Sequence, residues 1–128
     1  LALTLPTAEQ RAQMWADFAS PLVFSERELT LLADLSEGFT GSDIREASAR
    51  LRRRQVALGM APALKDAFPI VRNLAVGAEG SRFASQLADK DDGAVVHALR
   101  ERDERLYSLA VIADLLGVSK ATVHRLSK

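Results

Sequence analysis

From Gly117 to Lys128 the chain carries Lys120, His124, Arg125 and Lys128 and no carboxylate, although the whole sequence balances 17 basic against 17 acidic residues. Ser119, Ala121 and Thr122 lie among these cations. At helical spacing Val123 and Leu126 turn inward, while Ser119, Lys120, Ala121, His124, Arg125 and Lys128 turn outward. The outward face is basic and hydrogen-bonding, so its chemistry is recognition rather than catalysis. Lys120 and Arg125 suit guanine edges or phosphates, and Ser119 or Thr122 suits a phosphate. Double-stranded DNA is the partner this face fits. No nucleophile stands beside a base, so no catalytic residue is assigned. His97 and His124 are far apart and lack acidic partners, so no metal site is assigned.

A face of this kind needs a rigid support, and the stretch YSLAVIADLLGVSKATVHRLSK provides the elements for one. Leu109, Ile112, Leu116, Val118, Val123 and Leu126 form the apolar set. Ala113 is small enough to let a second helix cross close to the first. Gly117 can take the positive φ that closes a helix, and Ser119 can cap the next one. The stretch resembles the helix-turn-helix of DNA-binding proteins at each position that defines it. That resemblance implies a second helix, over about residues 119–128, lying in the major groove. A plain helical hairpin closed by Gly117 is the competing reading.

Upstream, helical periodicity dominates and strand alternation is nearly missing, so the chain is expected to be all-α. A first helix is expected over 7–19, with Ala8, Ala12, Trp15 and Phe18 or Ala19 on one face and Trp15 in the core. A second starts at a Ser25–Glu28 capping box, buries Leu29, Leu32 and Leu35, and ends at Gly38. A third starts at a Thr40–Asp43 capping box and places Ile44, Ala47, Leu51 and Leu58 on one side, with Arg50, Arg52, Arg53 and Arg54 around the others. Gly59 and Pro62 break it. A fourth stretch over 62–75 is interrupted or restarted near Pro69; after the punctuation GAEG, helices are expected at 81–88 and 93–104. The run RERDER reads as a solvated helix face, and so does the arginine run.

The first half of the chain carries a second resemblance. Leu5 and Pro6 lead into a helix with Glu9 and Arg11; a leucine-rich helix follows, then Gly38-Phe39-Thr40-Gly41-Ser42-Asp43-Ile44. This order resembles the small helical lid subdomain of AAA ATPases, whose signature is G-[FY]-[ST]-G-[AS]-[DE]-[IL]. The resemblance implies that the third helix begins over the adenine and ribose of ATP, with Gly41 letting the backbone approach and Ser42 at the position where other ATPases carry a phosphate-sensing arginine. It implies ATP as cofactor, with Mg²⁺ held in a large subdomain, and a homo-oligomeric full-length protein. The sequence holds no GxxxxGK[ST] loop and no paired acids after an apolar run, so this chain alone is not expected to hydrolyse ATP. Those parts would lie before Leu1, where the chain begins without methionine.

The organisation expected is a lid-type helical bundle over residues 1–60, extending at most to about 77, joined to a helical region 78–128 that ends in the helix-turn-helix 108–128. Cysteine is absent, which excludes disulfides and thiolate metal sites and makes a cytoplasmic setting the expectation. No apolar run approaches the roughly 18 residues of a membrane span, so no membrane partner is expected. The leading functional reading couples an ATPase lid to a DNA reader. The alternative is a helical protein-interaction module without DNA binding.

Overall fold

Six helices start on a side chain that satisfies the free backbone N–H groups of the first turn. In the computed structural model, which describes residues 5–59, 63–75 and 83–128, those caps are Thr7, Ser25, Thr40, Asp91, Ser108 and Ser119. Three are complete capping boxes: Ser25–Glu28 and Thr40–Asp43, as expected, and also Thr7–Gln10. A cap of this kind contributes about 1 kcal/mol to its helix.

The elements in order are α1 (Ala8–Phe18), α2 (Glu26–Leu35), α3 (Gly41–Leu58), α4 (Leu64–Ala75), a 3-10 turn (Ala84–Gln86), α5 (Asp92–Arg102), α6 (Leu109–Leu116) and α7 (Lys120–Leu126). The described residues contain no strand, so the all-α expectation holds. α1 packs on α2 and α3, α3 on α4, and α4 on α6, while α5, α6 and α7 pack on one another. One hydrophobic cluster runs through all of them, from Trp15 to Val123. Trp15 sits in it as expected and donates its indole N–H to Ser36 Oγ at 3.1 Å.

Several local expectations change in the structure. Ala8 is exposed, and Arg11 takes the buried position on that face. Its Nε donates to the Ala33 carbonyl at 2.8 Å and an Nη to the Pro6 carbonyl at 2.9 Å, and burial lowers its pKa. Leu29 is half-buried, whereas Leu31, Leu32, Ala33 and Leu35 face the core. α2 ends at Leu35, and Gly38, at φ 87°, belongs to the turn that follows. Leu58 is 55% exposed because the last turn of α3 outruns its cover; Val56, Ala57 and Gly59 are exposed with it. α3 ends at Gly59 as expected, and the glycine closes it in the left-handed region at φ 64°.

α4 runs unbroken through Pro69, which faces solvent in the second turn while Leu64, Ala67, Phe68, Val71 and Ala75 are buried. Burial of that stripe outweighs the one lost hydrogen bond. Within the stretch expected as a helix over 81–88, the described residues form only the single 3-10 turn. Arg72 holds that region to α4 by donating to the carbonyls of Leu87 (2.6 Å) and Lys90 (3.0 Å). Residues 60–62 and 76–82, including Pro62 and GAEG, lie outside the described residues.

The RERDER run is a correction of a different kind. α5 ends at Arg102, where Asp103 turns the chain by accepting from the N–H groups of Arg105 (3.1 Å) and Leu106 (3.0 Å). Arg102 does not point into open solvent. It meets Asp34 of α2 with two parallel hydrogen bonds of 2.8 and 2.9 Å, pairs with Glu37, and lies 3.8 Å above the Phe83 ring. Tyr107, fully buried, donates its hydroxyl to the same Asp34 carboxylate. These bonds raise the Arg102 pKa; burial, then the Asp34 bond, raise that of Tyr107.

Candidate nucleic-acid interface

The interface is built on a turn of two residues. α6 closes at Gly117, whose φ of 69° and ψ of 33° lie in the left-handed region. The N–H groups of both Gly117 and Val118 return to the Ala113 carbonyl, the latter at 3.1 Å. Ser119 then adopts extended backbone, and its Oγ accepts from Thr122 N–H at 3.2 Å to start α7. The glycine and serine therefore do what their spacing predicts. Ala113 is buried at the crossing. At the far end of α7, Leu126 packs beside Gly93 at the start of α5, where an added Cβ would make only ordinary contact at 3.9 Å.

That packing fixes the face. Val123 is fully buried and Leu126 partly, while Ser119, Lys120, Ala121, His124, Arg125 and Lys128 are exposed and Thr122 is half-buried. α7 itself spans 120–126, shorter than the expected 119–128, with Ser119 and Ser127 as its caps. Arg125 is held in place: an Nη donates to Thr122 Oγ1 at 3.2 Å, and that oxygen is 2.9 Å from Ser119 Oγ. The row Ser119–Thr122–Arg125 is thus a pre-ordered set of polar groups along one side of the helix. The Lys65 side chain of α4 lies against the turn, with its Cβ 3.3 Å from where a Gly117 Cβ would be. Sequence alone gave no sign of this cation, because it comes from another helix. Asp114, exposed on α6, and Asp91 and Asp92 at the start of α5 mark the acidic limits of the patch.

The other expected site residues belong to different helices. Gly41 opens α3 at the lip of an open pocket of about 450 Å³, lined by Pro6, Gln10, Gln13, Met14 and Asp17 of the α1 region. A Cβ there would make only ordinary contact, 3.8 Å from Met14, so packing within the chain does not require a glycine. Ser42 is exposed. Among the described residues no group of His, Asp and Glu is arranged to hold a metal ion, and no helix is long and apolar enough to cross a membrane.

Residues 93–127 match the family model of the IclR helix-turn-helix domain. The match takes in nearly all of α5 and the whole of α6 and α7, so the three-helix unit seen in the structure is a helix-turn-helix of the DNA-binding kind. It begins beyond residues 38–44, the stretch resembling the ATPase signature. No curated protein and no solved structure matches the chain.

Proposed function

We propose that this chain binds double-stranded DNA through α7, with Lys120, Ala121, Arg125 and His124 toward the base edges of a major groove and Ser119, Thr122 and Lys128 toward its phosphate walls. The observation that carries this reading is the exposed, carboxylate-free face of α7, opposite a Val123 buried without remainder. Arg125, tethered to Thr122, loses less side-chain freedom on binding than a free arginine would. One such face makes few contacts, so a second copy placing its own α7 about one turn of DNA away is part of the proposal.

Fluorescence anisotropy with mixed-sequence duplex DNA tests it. Affinity should fall steeply as salt rises, because each neutralised phosphate releases counterions. Lys120→Ala with Arg125→Ala should weaken binding at least tenfold, and Lys128→Ala, on the phosphate wall, should lower the salt slope by about 1. Binding untouched by that pair would remove α7 from the interface.

A second reading rests on the open pocket beside Gly41. In it the first three helices act as the lid of an AAA-type ATPase, with Gly41 and Ser42 over the base and ribose of ATP, and nucleotide binding orients the DNA-reading helices. A full-length form bearing the phosphate loop should then show a several-fold higher KM for ATP on Gly41→Val. An unchanged KM would leave the lid reading without support.

A further inference from the structure

α3 carries two stripes at helical spacing. Ile44, Ala47, Ser48, Leu51 and Gln55 are buried and serve the core. Ala49, Arg52, Arg53, Val56 and Ala57 form a second stripe at steps of three and four, on the outside. With Pro21 they line an open groove of about 490 Å³. Alanines at 49 and 57 keep its floor low, so the ridge of another helix can approach. Val56 is 67% exposed; Leu58, next to Ala57, and Val23, two residues beyond Pro21, are exposed apolar side chains as well.

Apart from Arg45, whose guanidinium lies 4.8 Å over the Phe18 ring, the arginines along α3 divide in the same way. Arg50 is paired with Glu46 at 2.9 Å and Arg54 with Asp66 at 3.1 Å. Among the described residues Arg52 and Arg53, the two that line the groove, have no carboxylate partner, and Arg52 Nε is shielded from solvent without a hydrogen bond. A desolvated donor gains most from an acceptor brought to it. Apolar side chains on the same surface argue against a bare phosphate backbone as the occupant, and the two free guanidinium groups argue against a purely apolar one.

We propose that this groove docks an acidic amphipathic helix of a partner protein, its apolar residues on Val56 and the alanine floor and its carboxylates on Arg52 and Arg53. The proposal is independent of DNA binding by α7. The probe is a fluorescein-labelled helical peptide with leucines at i and i+4 and glutamates on the flanking positions, compared with a twin in which lysines replace the glutamates. The glutamate peptide should bind saturably and the twin should not. Arg53→Glu and Val56→Asp, both at exposed positions, should each weaken the peptide at least tenfold, while the melting temperature stays put and duplex DNA affinity stays within twofold. Lys120→Ala with Arg125→Ala should leave the peptide bound. No saturation by about 100 μM, the weak end of specific association, would overturn the proposal. Equal binding of the twin, or indifference to Val56→Asp, would overturn it too. Loss of duplex affinity in Arg53→Glu would give the groove to nucleic acid instead.

Discussion

Tyr107 has no exposed surface, yet its hydroxyl ends on a carboxylate that also receives Arg102. Burial and that bond raise its pKa above the ordinary value of about 10. The neutral form is the one the fold favours, so its contribution is complete below pH 10 and drains away as pH rises further. Urea midpoints measured from about pH 8 to 11 should therefore fall at the alkaline end, and Tyr107→Phe should flatten that fall. At neutral pH the same change should cost about 1.5–3 kcal/mol, the value of one hydrogen bond to a charged acceptor. An alkaline limb left as steep in Tyr107→Phe would place the titrating group elsewhere. Neither Tyr107 nor Arg102 could be assigned this role from sequence. Arg102 stands in a run of alternating charge, and its acids, Asp34 and Glu37, are remote along the chain. Ser119, Lys120 and Arg125 were legible for the opposite reason: their exposure depends on helical phase relative to Val123, which is local.

Helix starts and stops follow the same division. Ser25–Glu28, Thr40–Asp43, Gly59, Gly117 and Ser119 act within four residues of themselves, and each takes the conformation its residue type favours. Pro69 misled because the breaking tendency of one residue was outweighed by the buried stripe around it. Leu58 misled because its phase is apolar but the helix has run past its cover. Gly117 offers the sharpest test at this scale. An alanine there would hold a left-handed backbone and press its Cβ to 3.3 Å from the Lys65 stem. Strain of this type costs about 1–2 kcal/mol, so Gly117→Ala should lower the urea midpoint by a corresponding amount. The duplex affinity should drop with it, since α7 leaves the turn at a new angle. An alanine variant as stable as the parent would mean that the turn tolerates another geometry.

Across the molecule, one apolar cluster and one ionic junction bind early helices to late ones. Trp15, the sole tryptophan, reports on α1, whereas far-ultraviolet circular dichroism reports on all helices. With a shared core the two signals should trace a single unfolding curve. Arg102→Ala, which severs α5 from Asp34, should shift both together by about 1–3 kcal/mol, between the values of surface and buried ion pairs. Transitions that separate would instead reveal two units, divided where the sequence suggests a boundary near residue 78. That boundary is suggested by composition and punctuation, which say nothing about what packs on what. α6 rests on α4 as well as on its own two companions, and the Lys65 stem lies alongside its closing turn. A 93–127 cassette transplanted into a foreign host would arrive with that flank bare. Any exchange of reading heads between such proteins has to carry α4 along or rebuild the flank.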